Sequence, residues 1–313
     1  MRAVVNVLLM LFIAAAVLVA WAWEPDRSVE SLAERYRVTG SGFPEIGGMS
    51  AHVAVEGDGP ALVLLHGTGA SLHTWNGWVE ELAGEFRIVR MDLPGFGLTG
   101  PHPDGDYSID AYLRFVHAVA DHLDLGRFHL AGNSLGGRIA WNYAAAHPGR
   151  VDRLILIDAS GYRVRRSPSL LFQLAALPGV GDVLAKLTPR SLYRRSLEEV
   201  YADDSLVDEE LVQRYFELSL REGNRKAFVQ RVRSASAAGH EDPAAALARI
   251  GAPTLVQWGG RDEWIPVEHG RRFAADIPDA RLVVYDDLGH VPMEEAPART
   301  ARDARAFLAG NEP

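Results

Sequence analysis

Apolar runs bounded by turn residues alternate with helical patterns along most of this 313-residue chain. Between several runs, apolar residues recur at the i, i+3, i+4, i+7 spacing of an amphipathic helix, as they do from Ile109 to Leu123. The runs predicted as strands are Met49 to Val55, Ala61 to Leu65, Phe86 to Met91, Phe128 to Ala131, Leu154 to Ile157, Thr254 to Trp258 and Leu282 to Tyr285. Alternating strands and helices fold around a mainly parallel sheet, so we predict an α/β core.

One segment breaks this alternation. Residues 162–242 carry helical patterns, such as those around Leu170 and Leu211, and no strand pattern. The segment begins after the strand that ends at Asp158, and it therefore lies over the carboxyl ends of the strands, where open α/β sheets bind ligands. We predict a helical cap over residues 162–242 and a core formed by residues 43–161 and 243–313.

The amino-terminal segment is strongly apolar. From Ala3 to Trp23 it carries no charge, which predicts a membrane-spanning helix over residues 1–23. The alternative is a signal segment that is cleaved, leaving a secreted or periplasmic protein. Residues 24–42 are polar and predicted to be a linker. We expect membrane anchoring through this helix, with the catalytic domain on the extracytoplasmic side.

Composition and missing motifs exclude several functions. The net charge is -9 and the arginines are scattered, so nucleic acid is not an expected partner. The absence of cysteine excludes disulfides and thiolate catalysis. A G-x-G-x-x-G pattern spans Gly95 to Gly100, but Pro101 and Pro103 prevent the helix that a dinucleotide site needs. No metal-binding motif occurs either, so we expect neither cofactor nor metal.

The segment Gly132-Asn133-Ser134-Leu135-Gly136 follows an apolar strand and precedes a helical pattern. This is the context of the G-x-S-x-G turn, in which a strained strand-to-helix connection exposes a serine hydroxyl. The glycines leave room for the tight turn. Ser134 is therefore the candidate nucleophile.

A serine hydroxyl needs a base, and the base needs a carboxylate to orient it. His290 follows the last predicted strand, on a loop that can place an imidazole over the sheet edge. Asp262 follows the preceding strand, and the chain order serine, aspartate, histidine fits the G-x-S-x-G arrangement. Glu263 and, less favourably, Asp158 are alternatives for the carboxylate.

Attack on a carbonyl generates an oxyanion, which backbone N–H groups can stabilise. We predict two donors, the N–H of Leu135 directly after the nucleophile and that of Thr68. Thr68 lies in the glycine-rich turn that follows the strand ending at Leu65. We expect His66, at the start of this turn, to fix the turn by hydrogen bonding.

With these motifs in this order, the chain resembles the α/β-hydrolase superfamily between about Phe43 and Leu308. It looks most like capped serine hydrolases, a group that includes lipases, esterases, lactonases and the meta-cleavage-product hydrolases. The resemblance implies an eight-stranded sheet with helices on both faces, a cap between strands six and seven, no cofactor, and a triad of Ser134, Asp262 and His290.

The expected reaction is hydrolysis of an ester or lactone of a small apolar acyl or aromatic substrate through an acyl-enzyme. Asn133 before the serine resembles the carbon–carbon bond hydrolases of the meta-cleavage type, whereas Val291 stands where those enzymes have tryptophan. A carbon–carbon hydrolase is therefore the main alternative. A cofactor-free perhydrolase and a non-catalytic binding protein are further alternatives. The substrate's identity and the oligomeric state do not follow from the sequence.

Overall fold

The fold is described from a computed structural model. It describes residues 5–6, 9–10, 13, 23–164, 177, 179, 181, 186–187, 189–237 and 242–310.

An eight-stranded sheet forms the centre of the molecule. Its strands are β1 Ser41–Gly42, β4 Val53–Glu56, β5 Ala61–Leu65, β6 Arg87–Met91, β7 Phe128–Asn133, β8 Val151–Ile157, β9 Thr254–Gly259 and β10 Ala280–Tyr285, and a separate hairpin contains β2 Glu45–Ile46 and β3 Met49–Ser50. The strand order in the sheet is β1, β4, β6, β5, β7, β8, β9, β10. The pairs β1–β4 and β4–β6 are antiparallel, and all other neighbours are parallel. The predicted α/β class and the eight-stranded, mostly parallel sheet are confirmed.

Helices connect the strands. They are α1 Val29–Tyr36, α2 Asn76–Leu82, α3 Ile109–His122, α4 Leu135–Ala146, α5 Arg190–Glu198, α6 Glu209–Ser219, α7 Asn224–Ala237, α8 Ala244–Leu247, α9 Val267–Asp276, α10 Pro292–Glu295 and α11 Pro297–Leu308. Single 3-10 turns occupy Leu72–Trp75 and Asp204–Leu206.

One predicted strand is wrong in its extent. The apolar run from Met49 to Val55 was expected to be continuous, but it is divided between β3 and β4. The backbone N–H of Ala51 donates to Pro44, and that of His52 donates to the Thr99 hydroxyl, so neither residue joins a ladder. Apolar pattern alone does not reveal such a division, because apolar residues recur on both sides of it and at Ala51 between the two strands.

The sheet is buried on both faces. Along β5, Leu62 and Leu64 pack into one hydrophobic cluster and Val63 and Leu65 into the other, as the alternation of side chains in a strand requires. Residues of α2 and α11 cover the first face, and residues of α3 and α4 cover the second. Because both faces are buried, the central strands are continuous apolar runs and do not alternate between apolar and polar residues.

The chain between β8 and β9 contains helices α5, α6, α7 and the short α8, and its described part contains no strand of the main sheet. The predicted helical segment around Leu170, Leu171 and Leu174 lies outside the described residues. The domain boundaries drawn from the sequence remain a prediction.

The predicted membrane anchor is wrong, and with it the expected extracytoplasmic, membrane-bound location. Among the described residues, no helix combines the length and the apolar character that crossing a bilayer requires. Most of residues 1–22 lie outside the described part of the chain.

A buried carboxylate joins the amino-terminal helix α1 to the insertion. Glu217 on α6 accepts hydrogen bonds from the Tyr36 hydroxyl at 2.5 Å and from Arg27 at 2.5 Å. Arg35 lies 3.0 Å from the same carboxylate, whose side chain is only 5% exposed. Burial alone would raise the pKa of Glu217, but hydrogen bonds from Tyr36, Arg27 and Gln213 outweigh it, so the pKa is lowered.

We expect Glu217→Gln to lower the free energy of unfolding by about 1–3 kcal/mol at pH 7. The carboxylate accepts several charge-assisted hydrogen bonds on two oxygens, whereas the amide has one acceptor oxygen and an NH2 group that only donates. The lowered pKa means that this stabilisation is present above the unfolded-state pKa. It is lost as the pH falls through the lower folded-state value, so the two proteins should converge in acid.

Urea unfolding between pH 3 and pH 7 measures this difference. Glu199→Gln is the matched control, because among the described residues the Glu199 carboxylate pairs only with Arg195, in an exposed i,i+4 pair. Equal stability of the two variants at pH 7 would contradict the structural role of Glu217.

Candidate active site

The predicted site residues lie at one edge of the sheet, where parallel strands end. Ser134 directly follows β7, and Asp262 comes shortly after the end of β9. His290 follows β10, and Thr68 follows β5. Because β5, β7, β8, β9 and β10 run parallel as successive neighbours, the loops at their carboxyl ends converge.

Ser134 occupies a strained turn between β7 and α4. Its φ of 53° and ψ of -111° are unusual for a residue with a β-carbon. Its N–H donates to Ile157 at 3.0 Å, and its carbonyl accepts from the N–H of Ser160 at 3.0 Å. A β-carbon at Gly136 would lie 2.1 Å from the Leu65 carbonyl oxygen, so this position requires glycine. The local geometry is that of a sharp strand-to-helix turn.

Asp262 and His290 are in direct contact. The distance from His290 Nδ1 to Asp262 Oδ2 is 2.7 Å, and both side chains are buried. The other carboxylate oxygen of Asp262 accepts the N–H groups of Trp264 at 2.8 Å and Ile265 at 2.9 Å. The aspartate is therefore fixed by its own loop while it holds one nitrogen of the imidazole.

The backbone of His290 is held from two sides. Its N–H donates to the Val200 carbonyl of the insertion at 2.8 Å, and its carbonyl accepts from the Asn133 side-chain amide at 3.0 Å. Asn133 precedes Ser134, so this bond links the serine turn to the histidine loop. The Trp264 ring stacks on the imidazole at a centroid distance of 6.0 Å. The imidazole is thus restrained at its ring and at its backbone.

Glu295 bridges the histidine loop to the insertion. One carboxylate oxygen accepts the N–H of Gly289 at 2.8 Å, and the other accepts the N–H of Ala202 at 2.8 Å. Burial raises the pKa of Glu295 above its ordinary value. The neighbouring Glu294 accepts hydrogen bonds from the hydroxyls of Tyr201 and Tyr215. Two adjacent acids therefore attach the insertion to the loop that carries His290.

Ser134 makes no side-chain hydrogen bond to this pair. Among the described residues, its hydroxyl has no hydrogen-bond partner. Asn133, which precedes Ser134, links the serine turn to the loop that carries His290. Catalytic hydrogen bonds are often long in the absence of substrate.

The two predicted oxyanion donors are unpaired. Within the described residues, the N–H groups of Thr68 and Leu135 donate to no protein acceptor. A β-carbon at Gly67 would lie 3.2 Å from Ser134 Cβ, so the turn that presents Thr68 lies against the serine. The His66 ring contacts the Gly67 carbonyl at 2.7 Å through Nδ1 and accepts the N–H of Leu93 at 2.9 Å through Nε2. As expected, His66 fixes this turn.

The alternative carboxylates occupy different environments. Glu263 is exposed. Asp158 is fully buried and accepts the N–H of Gly259 at 3.0 Å, while His290 Nδ1 bonds to Asp262 rather than to Asp158. Burial and the adjacent Asp262 carboxylate raise the pKa of Asp158 well above its ordinary value, which favours the protonated form.

Three potential metal-ligand atoms come together here. One ligand atom from each of Asp158, Asp262 and His290 lies within 4.8 Å of the others. However, both oxygens of Asp262 already accept hydrogen bonds, one of them shared with the histidine ring. The donor set fits a hydrogen-bonded acid–imidazole pair, because His290 Nδ1 is already engaged with Asp262 at 2.7 Å.

The sequence reasoning missed the structural roles of several residues around the site. Glu295 is not among the predicted site residues, although it is one of two adjacent acids close after His290, a signal that could have identified it. Trp264 and the carbonyl of Val200 gave no such signal. Their contacts depend on how the insertion and the β9 loop pack, which the residue pattern does not encode.

Comparisons with known proteins agree with this architecture. The sequence profile of the family described as alpha/beta hydrolase fold matches residues 60–297. The 2-hydroxymuconate semialdehyde hydrolase of Pseudomonas sp. strain CF600 is 30% identical over 279 residues, which cover 85% of this chain and 95% of that protein.

Two solved structures are also similar. One is the meta-cleavage product hydrolase from Pseudomonas fluorescens IP01, with a TM-score of 0.74 and 26% identity, covering 86% of this chain and 97% of that one. The other is a membrane phospholipase A, with a TM-score of 0.72 and 27% identity, covering 99% of this chain and 98% of that one. Together with the sheet order and the serine turn, these matches show that the chain is a hydrolase and belongs to the α/β-hydrolase fold family.

Proposed function

We propose that this hydrolase cleaves an ester or lactone through an acyl-enzyme on Ser134. The observation that carries the proposal is the buried 2.7 Å contact between His290 and Asp262, linked through Asn133 to the strained turn that holds Ser134. A weak nucleophile on a strained turn, beside an imidazole oriented by a carboxylate, is the arrangement that acyl transfer requires.

In the proposed reaction, His290 Nε2 takes the proton of the Ser134 hydroxyl as the oxygen attacks the substrate carbonyl. Asp262 accepts from Nδ1–H, so it fixes the tautomer in which Nε2 is free to act as the base. The protonated imidazole then donates its proton to the leaving alkoxide. Water attacks the acyl-enzyme in the second half of the reaction, with His290 again serving as base.

The negative charge that forms on the carbonyl oxygen would be received by the N–H groups of Thr68 and Leu135. Leu135 is the first residue of α4, so the positive end of the helix dipole lies at the same place. One such donor contributes about 3–4 kcal/mol to the stability of the transition state in serine hydrolases.

The insertion is proposed to act as a cap, as the sequence suggested for residues 162–242. Its support is that Val200 and Ala202 contact the histidine loop directly. A cap in this position would bind the acyl or aromatic part of the substrate. We propose a substrate with a substantial apolar portion.

A second candidate reaction is carbon–carbon bond hydrolysis. The similarity of this chain to two enzymes, the 2-hydroxymuconate semialdehyde hydrolase and the meta-cleavage product hydrolase, favours this reaction. Val291, in place of the tryptophan of those enzymes, weighs against it. Loss of the colour of 2-hydroxymuconate semialdehyde, compared with release of nitrophenol from an ester, distinguishes the two reactions.

We expect Ser134→Ala to lower kcat for a 4-nitrophenyl ester at least ~10³-fold, because the variant lacks the nucleophile. Spectrophotometric release of nitrophenol measures this loss. Ser31→Ala is the control, since Ser31 lies exposed on α1. Turnover by Ser134→Ala at the rate of the control would rule out the proposed nucleophile.

We expect Glu295→Gln to lower kcat by about 10- to 100-fold, with a smaller change in KM, because the amide cannot accept both N–H groups and the His290 loop shifts. Steady-state kinetics measures both constants. Glu268→Gln on the exposed face of α9 is the control. An unchanged kcat would show that Glu295 does not position His290.

A further inference from the structure

An arginine of the insertion contacts the glycine-rich turn that carries Thr68, one of the two predicted oxyanion donors. Arg231 lies on α7, and its Nη2 donates to the Thr68 hydroxyl at 3.1 Å. Its guanidinium carbon lies 4.2 Å from the centroid of the buried Phe96 ring. Because Thr68 is also the residue whose N–H would receive the oxyanion, a positive charge lies beside the place where substrate must bind.

This cation has no counter-ion in the protein. Among the described residues, no carboxylate lies within ion-pair distance of Arg231, and its buried Nη1 makes no hydrogen bond. Arg225, on the same helix, behaves differently and pairs with Asp26 at 2.5 Å. Arg90 pairs with Glu56 at 2.6 Å. A half-buried charge without a partner is unfavourable, and proteins usually compensate it.

Packing alone gives an incomplete account of Arg231. Stacking on Phe96 and contact with Thr68 would anchor α7 on the core, and a neutral side chain of similar length could fill the same space. These contacts do not explain why the side chain at position 231 carries a positive charge. A guanidinium presents several donors in one plane, which suits a planar carboxylate in particular.

We propose that Arg231 binds an anionic group of the substrate, and that the substrate class is an ester or lactone whose acyl part carries a carboxylate. This proposal rests on the proposed function. The carboxylate would lie on the same side as the scissile carbonyl oxygen, because Arg231 contacts the side chain of Thr68, the residue whose N–H would receive that oxygen. The substrate would then combine an apolar chain, bound under the cap, with a charged end at Arg231.

Two esters of similar size test the proposal. The anionic one is 4-nitrophenyl hydrogen adipate, and the neutral one is 4-nitrophenyl heptanoate, each corrected for spontaneous hydrolysis. We expect the wild-type protein to prefer the anionic ester. In Arg231→Gln, the ratio of kcat/KM for the anionic ester to that for the neutral ester should fall about 10- to 100-fold. Arg231→Lys should retain part of the preference.

Arg249→Gln is the control for the loss of one positive charge, because Arg249 is exposed and remote in sequence from these contacts. The control should keep the wild-type ratio. An unchanged ratio in Arg231→Gln overturns the proposal. An equal loss for both esters with a lowered Tm assigns Arg231 to packing and also overturns it.

A binding measurement separates this proposal from the ester hydrolase proposal. Millimolar adipate should raise the Tm of the wild-type protein and not that of Arg231→Gln, whether or not either ester is cleaved. If neither ester is cleaved but adipate still stabilises through Arg231, the proposed function fails and the anion site stands. If adipate leaves the wild-type Tm unchanged, the anion site fails.

Discussion

The hydrogen bond between Asp262 and His290 joins the ends of two neighbouring parallel strands, and the organisation of the site depends on it. Strands β9 and β10 pair in register from Thr254 with Ala280 to Gly259 with Tyr285, so their loops leave the sheet at the same height. The 2.7 Å contact is therefore a direct result of strand pairing. Ser134 lies two strands further along, at the end of β7, where the same edge brings its turn toward the imidazole.

The insertion is part of the site and not only a cover over it. It supplies the acceptor for the His290 N–H, the Ala202 N–H for Glu295, and the guanidinium that touches Thr68. Movement of the insertion would therefore change the position of the imidazole as well as access to it. Under the proposed function, this coupling would connect substrate bound beneath the insertion to His290.

Much of the fold could be predicted from the sequence, because the spacing of apolar residues indicates both the buried strands and the amphipathic helices. The Ser134 turn was also predictable, since glycine is needed where a β-carbon would collide with the Leu65 carbonyl. The division of the Met49 to Val55 run was missed because hydrogen bonding, not polarity, separates its halves. The membrane prediction is contradicted, since no helix among the described residues has the length and apolar character that crossing a bilayer requires. The roles of Glu295 and Arg231 depend on contacts between distant segments, which no local pattern contains.

The central claim is that Ser134 is activated by the histidine and aspartate that the sheet edge brings together. The most direct measurement is peptide mapping by mass spectrometry after treatment with a fluorophosphonate, on the wild-type protein and on His290→Ala. The account predicts a single adduct on the peptide that contains Ser134, and a rate of adduct formation that falls by orders of magnitude without His290. An adduct on another residue, or equal rates in the two proteins, would contradict it.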